Sequence, residues 1–277
     1  MKKFIKWFLI LLVIIFVTSA VISSMDRQKK LKEPHIGLVT LEGILYDIDF
    51  VSGALDDFAR NPMITGVLVR VNSPGGVVTP SQELYSLIRH YPKPVWAFHD
   101  GLAASGALFA TIGADRIGTQ STTITGSIGV IIRSINAREL YEKIGIEEIT
   151  VKTGPFKNIL STNQPLGDDE RRILEELIGD SYDEFVNAIA SSRDMDKQLL
   201  IDIADGRIFS GLRAVEYGLA DEISSYHEFR NKFAQELQVH PDNYFVYQRS
   251  RGERLRELLS TVQATFDTSV SMMYLLD

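Results

Sequence analysis

Short apolar runs alternate with helix-like stretches through the first half of the chain, and this alternation limits the folds that it can adopt. Three runs of strand-forming residues, at 36–41, 66–71 and 94–98, have the composition of strands buried on both faces. Helical patterns lie between them, near 52–61 and 79–91. Strands joined by helices at this spacing form crossover units, so the sequence predicts an α/β fold with a largely parallel sheet.

The second half of the chain is predicted to be mainly helical. An acidic start at 167–170 precedes apolar residues at helical spacing, namely Ile173, Leu174, Leu177, Ile178, Phe185 and Ile189. The helical pattern continues beyond residue 225, breaks at 241–243, and resumes in an arginine-rich stretch at 249–259. We therefore predict a C-terminal helical tail over 226–277, a kind of segment that usually docks on a partner and occasionally on a membrane surface.

Charge and composition exclude several functions. The 277 residues carry a net charge of −7 with no recurring basic stripe, which argues against a nucleic-acid partner. The chain has no cysteine, so disulfides, thiolate metal sites and a cysteine nucleophile are excluded. No cofactor and no metal is expected.

The N-terminal region contains 19 consecutive uncharged residues, at 7–25. At about 1.5 Å per residue, a helix of this length spans nearly the ~30 Å hydrocarbon core of a bilayer. We predict a transmembrane anchor over 1–25 and a linker over 26–34; the alternative is a cleaved secretory signal. Lysines and arginines lie on both sides of the span, so the distribution of positive charge does not fix its orientation.

Two segments have the composition of a serine acyl-transfer site. Ser105 follows a predicted strand and precedes a predicted helix, where unpaired amides and the helix dipole favour a developing oxyanion. Residues 72–76 (Asn-Ser-Pro-Gly-Gly) follow another strand, and their glycines allow main-chain amides to point outward. Taken alone, Ser105 also fits a simple helix cap, and the glycine segment also fits a structural turn.

A serine nucleophile needs a base, and none of the five histidines is well placed. His99 is nearest in sequence, but it lies on the same corner as Ser105 and is expected to be a packing residue. A lysine serves as base when desolvation lowers its pKa. Lys157 lies in a turn flanked by apolar residues, after an expected strand at 149–152, while most other lysines of this region have the pattern of solvated surface residues.

Six motifs in a fixed order carry a resemblance to a known family. They are residues 72–76, 103–106 (Ala-Ala-Ser-Gly), 125–130 (Thr-Gly-Ser-Ile-Gly-Val), 154–157 (Gly-Pro-Phe-Lys), 205–211 (Asp-Gly-Arg-Ile-Phe-Ser-Gly) and 218–221 (Gly-Leu-Ala-Asp). Together they resemble the signal peptide peptidase A (protease IV) family in its short, membrane-anchored form. The resemblance covers roughly residues 35–225 and implies a peptidase domain there, with a crotonase-like (Clp-protease-like) spiral of β-β-α units.

The resemblance also implies roles for individual residues. Ser105 would be the nucleophile, Lys157 the general base, and Ser127 the residue that holds the lysine amine. Main-chain amides of Gly76 and Gly106 would form the oxyanion hole. A Clp-type protease would need a histidine about 25 residues after the serine, and this chain has only apolar residues and glycine there.

The same resemblance implies a substrate, an assembly and a location. Substrates would be cleaved signal peptides and other hydrophobic peptides, the catalytic domain would lie on the non-cytoplasmic face of the cell membrane, and the active protein would be a homo-oligomer that combines serine and lysine from neighbouring subunits. Two other functions stay open: a crotonase-like acyl-CoA enzyme, which would not need Lys157, and an inactive membrane scaffold.

Overall fold

The computed structural model describes residues 33–248 and the backbone of 273–275. The strands are β1 His35–Leu45, β2 Ile64–Val77, β3 Val95–Ala104, β4 Arg116–Thr119, β5 Ile124–Gly126, β6 Ile208–Ser210, β7 Glu222–Ile223, β8 Tyr244–Val246 and β9 Met273–Leu275. The helices are α1 Asp49–Arg60, α2 Val78–Arg89, α3 Gly106–Thr111, α4 Arg138–Ile144, α5 Asp168–Arg193, α6 Lys197–Ile201, α7 Gly211–Glu216 and α8 Tyr226–Glu236. The expected anchor at 1–25 and the expected arginine-rich helix at 249–259 lie outside the described residues. Among the helices that are described, none is both long enough and apolar enough to cross a membrane.

The strands form a mixed sheet in the order β6-β5-β3-β2-β1-β8. The pairs β1–β2, β2–β3, β1–β8 and β3–β5 are parallel, and β5–β6 is antiparallel. Because α1 joins β1 to β2 and α2 joins β2 to β3, these parallel pairs are crossover units of the predicted kind. The predicted α/β class is therefore confirmed.

Strand β3 changes partner halfway along its length. Its first half pairs with β4, from Trp96 with Arg116 to His99 with Thr119. Its second half, from Leu102 to Ala104, pairs instead with β5. This divergence brings the carboxyl end of β3 beside the carboxyl end of β5, the position that matters for the site.

One face of the sheet packs on α8 through aromatic side chains. Trp96 stacks on Phe233 with ring centroids 4.7 Å apart and contacts Phe229 at 4.9 Å. Both phenylalanines are wholly buried, so α8 belongs to the core rather than to an appended tail. After α8 the chain adds β8 beside β1 and, farther on, β9 beside β2. The region 226–277, expected to be a helical tail, is therefore not helical throughout.

Helices α2, α3 and α5 meet through a second aromatic cluster. Phe109 of α3 stacks on Phe185 of α5 at 4.7 Å and contacts Tyr85 of α2 at 5.5 Å. The amino-terminal part of α5 packs less completely, because Ile173 and Leu177 are 38% and 46% exposed. Of the apolar positions predicted for this helix, the buried ones are Leu174, Phe185 and Ile189.

An ion pair links the motif at 218–221 to helix α5. Arg193, at the end of α5, donates two hydrogen bonds to Asp221 and a third to the carbonyl of Gly218. The Arg193 side chain is only 10% exposed. Asp221 also accepts from the main-chain amide of Ile117 on β4. This carboxylate thus ties α5 to the sheet, which accounts for an aspartate at this position without a catalytic role.

Residues 133–157 form an outlying segment with little contact to the core. Helix α4 within it has no buried residue. The stretch 149–152, expected to be a strand, has no regular structure, and Ile149 and Val151 are 82% and 96% exposed. A β-prone sequence needs a neighbouring strand to form a ladder, and the described part of this chain supplies none here.

Candidate active site

Ser105 occupies a strained turn between a strand and a helix. Strand β3 ends at Ala104, α3 begins at Gly106, and Ser105 has φ 54° and ψ −121°. A residue other than glycine held at such angles costs about 1–3 kcal/mol. Hydrogen bonds hold the turn in place: the amide of Ser105 donates to the carbonyl of Gly126 at 2.8 Å, and its carbonyl accepts from Phe109 at 2.9 Å. A sharp strand-to-helix turn of this kind presents the nucleophile in α/β hydrolases.

The Ser105 hydroxyl has no hydrogen-bond partner among the residues that the structure describes. Ser105 is only 1% exposed, and its Oγ is one of the few buried side-chain polar atoms left unpaired among the described residues. An unpaired buried hydroxyl costs about 1–3 kcal/mol. Strain and an unpaired hydroxyl therefore coincide at one residue. Neither stabilises the fold, so both point to a reaction that uses the oxygen.

Helix α3 begins directly after this serine and is wholly buried. Gly106 is its first residue, so the Gly106 amide has no acceptor within the helix. That amide and the positive end of the helix dipole lie beside the serine, where a tetrahedral oxyanion would form.

The glycine segment is the end of β2 rather than a separate turn. Gly75 has φ 99°, and its amide donates to Ser73 Oγ at 3.1 Å. Gly76 does not have a positive φ; it is required because a side chain there would overlap the main chain of Leu45 on β1. Ser73 pairs with Ala103, two residues before Ser105, so the glycine segment continues from the strand beside the serine.

Ser127 lies next to this turn. The carbonyl that accepts from the Ser105 amide belongs to Gly126, the residue before Ser127. Ser127 has φ 51° and is 7% exposed, and its amide donates to the carbonyl of Arg207 at 2.7 Å. The motif at 205–211 thus holds the Ser127 backbone in place. The Ser127 hydroxyl makes no hydrogen bond to another described residue.

Lys157 is not joined to Ser105 within the protomer. It lies in an exposed turn, and its amine makes no hydrogen bond or ion pair in the part of the chain that the structure describes. The neighbouring Lys152 instead holds the turn by donating to the carbonyl of Pro155 at 2.7 Å and to the side chain of Asn158. Within one chain, Ser105 and Ser127 therefore lie together with Gly76 and Gly106. Lys157, the expected base, does not join them.

His99 is a buried packing residue, as expected. Its Nε2 lies 2.9 Å from Thr111 Oγ1, and that hydroxyl donates to the carbonyl of Ala107 in α3. Since the threonine proton is already used, the histidine donates to the threonine, and the link ties β3 to the helix that follows Ser105. Burial, with a smaller contribution from the Arg193 charge, lowers the pKa of His99 to about 3.

The lowered pKa predicts a stability that falls in acid. Between pH 6.5 and pH 3 the unfolded chain protonates His99 and the folded chain does not, so the free energy of unfolding falls with falling pH by up to about 1.4 kcal/mol per unit from this group. His99→Gln keeps a donor and removes the titration. Urea unfolding at pH 7 and pH 4.5 should show a smaller loss in the variant than in the wild type; equal losses would contradict this role.

The chain matches the model of a known protein family. The model of peptidase family S49 matches residues 88–240, more than half of the chain, including Ser105, Ser127 and Lys157. The chain belongs to peptidase family S49. The family match confirms the resemblance carried by the six ordered motifs.

Relatives of this S49 chain include several named proteases. A putative protease of Synechocystis is 40% identical over 64% of this chain and 64% of its own length. A putative signal peptide peptidase SppA of Enterococcus faecium is 39% identical over 61% and 50%, and a putative protease of Methanocaldococcus jannaschii is 35% identical over 68% and 61%. The chain thus spans between half and two thirds of these relatives.

A solved structure shares the fold of this S49 chain. It is the 1510-N membrane-bound stomatin-specific protease, in the form of a serine-to-alanine mutant. The two superpose with a TM-score of 0.50, covering 79% of this chain and all of that one, at 12% identity. At this identity the likeness concerns the fold alone.

Proposed function

We propose that this protein is a membrane-bound serine endopeptidase with a Ser/Lys dyad, which degrades cleaved signal peptides and other hydrophobic peptides. The observation that carries the proposal is the state of Ser105: strained, buried, and with an unpaired hydroxyl at a strand-to-helix turn. Membership of peptidase family S49 supports peptide hydrolysis as the reaction.

In the proposed mechanism Ser105 attacks the peptide carbonyl while the Lys157 amine takes the hydroxyl proton. The amides of Gly76 and Gly106 stabilise the oxyanion of the tetrahedral intermediate. The lysine then returns the proton to the leaving amine, and water releases the acyl group from Ser105. Ser127, whose backbone adjoins that of Ser105, accepts a hydrogen bond from the lysine amine and positions it.

The lysine comes from a neighbouring subunit in this proposal. Lys157 makes no contact with Ser105 in the protomer, although it lies on an outlying segment with exposed apolar side chains, namely Ile135, Leu140, Ile144, Ile146, Ile149, Val151 and Phe156. Exposed apolar side chains that cluster in this way mark a surface that another protein covers. A second copy of the chain would bury the segment and bring Lys157 to Ser105.

The remaining parts of the proposal concern fold detail and location. The β-β-α units are arranged as a crotonase-like spiral, residues 1–25 form a transmembrane anchor, and the catalytic domain lies on the periplasmic or extracellular side of the cell membrane. The uncharged run at 7–25 supports the anchor. The name of the Enterococcus faecium relative supports the substrate class.

Peptide and thioester substrates together test the function. The full chain in detergent is assayed with fluorogenic apolar peptides and with acyl-CoA thioesters, and compared with Lys157→Ala and with Lys197→Ala, a surface control. We expect peptide hydrolysis that Lys157→Ala lowers by at least about 10³-fold and that Lys197→Ala leaves within about twofold.

The two alternatives give different results in the same experiment. Turnover of the thioesters that is indifferent to Lys157→Ala would identify a crotonase-like acyl-CoA enzyme. No turnover of either substrate by the folded wild type would leave an inactive scaffold.

A further inference from the structure

Ser73 is a buried serine that the proposed mechanism does not use. Its side chain is wholly shielded from solvent, and its Oγ accepts a hydrogen bond from the main-chain amide of Gly75 at 3.1 Å. Burial of a hydroxyl is unfavourable unless the hydroxyl is hydrogen-bonded, so packing alone would favour alanine at this position. The bond to Gly75 is therefore the feature that gives a serine its use here.

Ser73 lies where strands β2 and β3 separate. Val71 pairs with His99 and Ser73 pairs with Ala103, so three residues of β3 lie opposite a single residue of β2. Irregularities of this kind redirect a strand beside an active site. The pairing of β2 with β3 ends at Ser73, and β3 therefore does not restrain the glycines that follow.

The two glycines after Ser73 do not fix their own conformation. Gly75 has φ 99°, and glycine adopts positive and negative φ about equally well, so this backbone rotates at little cost. The backbone angles of Gly75 set the direction of the Gly76 amide. Close approach to the main chain of Leu45 restrains Gly76, and the hydrogen bond to Ser73 restrains Gly75. An oxyanion hole stabilises charge best when its donors are held in place beforehand.

We propose that Ser73 is a positioning residue of the oxyanion hole: its hydroxyl holds Gly75 so that the Gly76 amide points at the oxyanion. The proposal rests on the proposed function, because that function assigns the Gly76 amide to the oxyanion hole. The oxyanion develops only as the reaction proceeds. A misdirected amide therefore raises the barrier to reaction and leaves the binding of substrate nearly unchanged.

Ser73→Ala tests the proposal by removing the acceptor of the Gly75 amide. Loss of a whole oxyanion-hole donor lowers kcat by about 10²–10³-fold, so a donor that is only displaced should lower it by about 10- to 100-fold. We expect this fall in kcat for an apolar peptide, with KM within about twofold of the wild type. Ser73→Thr keeps the acceptor and should hold kcat within about threefold of the wild type.

Ser81→Ala is the matched control, because Ser81 is equally buried and its hydroxyl also makes one hydrogen bond to the main chain, at Val77. It should lower the midpoint of urea unfolding, as Ser73→Ala does, and leave kcat within about twofold.

A peptide boronic acid gives a readout that a loss of stability does not imitate. It forms a tetrahedral adduct with a reactive serine, in which a boronate oxygen takes the place of the oxyanion. Ser73→Ala should weaken boronate binding by about the same factor as it lowers kcat, and Ser81→Ala should leave it unchanged. An uncleaved peptide should bind equally well to Ser105→Ala protein with and without Ser73→Ala.

The outcomes separate this proposal from the proposed function. Unchanged kcat and boronate binding in Ser73→Ala, or a raised KM at constant kcat, would overturn the positioning role and leave the peptidase intact. If the wild type turned over acyl-CoA thioesters but not peptides, a fall in kcat for thioesters in Ser73→Ala would uphold the role and reject the peptidase. A wild type that neither turned over these substrates nor bound the boronate would reject both.

A second substitution keeps the test decisive if Ser73→Ala does not fold. The sulfur of Ser73→Cys is only a weak acceptor, so this variant should lower kcat and weaken boronate binding relative to Ser73→Thr. Values equal to those of the wild type in the cysteine variant would overturn the proposal.

Discussion

Ser105→Ala should abolish peptide hydrolysis and at the same time stabilise the fold. Loss of the nucleophile lowers kcat/KM by at least about 10³-fold. In the dissociated chain the same change removes a buried hydroxyl that has no partner among the described residues, which raises the free energy of unfolding by about 1 kcal/mol. Ser105→Gly also relieves the strain at φ 54° and should be at least as stable, with the same loss of activity. Peptide assays and urea unfolding measure the two effects.

Ser81→Ala is the matched control for this prediction. Ser81 is also wholly buried, but its hydroxyl donates to the carbonyl of Val77 at 2.9 Å. Removing that bond should lower stability by about 0.5–1.5 kcal/mol and leave a substantial activity. If Ser105→Ala proved less stable than the wild type as a dissociated chain, the hydroxyl would have a structural role; if the variant kept its hydrolysis, the proposed nucleophile would be wrong.

The sequence predicts the parallel units of this fold because their signals are local. Strands β1 to β3 and helices α1 and α2 follow from hydrophobic runs and periodicity, and α5 begins at Asp168, within the predicted acidic start. The strand-to-helix turn at Ser105 can also be predicted from sequence, since its signal is only a strand pattern, a break of small residues and a helix pattern. What the pattern does not show is the strained backbone of Ser105, which depends on the hydrogen bond to Gly126 across the sheet.

Features that depend on pairing between residues far apart in the sequence are missed or predicted wrongly. The β-prone stretch at 149–152 has strand composition but no neighbouring strand in the described chain. Strand β9 pairs with residues some 200 positions earlier, and no local pattern in an expected helical tail indicates such a partner. Gly76 was expected to supply backbone freedom, whereas it is needed for close approach to Leu45. In each case the cause is a neighbour that is remote in sequence.

Mixing two inactive variants should restore activity if each site is shared between subunits. Co-expressed Ser105→Ala and Lys157→Ala chains assemble at random, so one chain supplies the serine and its neighbour the lysine in about a quarter of the sites. We expect about a quarter of the wild-type rate from the mixture and almost none from either variant alone. No recovery from co-purified mixed assemblies would show that serine and lysine act within one chain.

A substitution in the outlying segment at 133–157 tests independently whether each site is shared between subunits. Val151 is 96% exposed, so Val151→Glu should leave the protomer fold unchanged while placing a charge in the proposed interface. We expect it to weaken assembly in light scattering and to lower activity at least about tenfold. Leu199→Glu, at a residue 69% exposed and outside this segment, is the control and should do neither. Full activity from a monomeric Val151→Glu protein would mean that Lys157 reaches Ser105 within its own chain, by a movement of the segment that carries it.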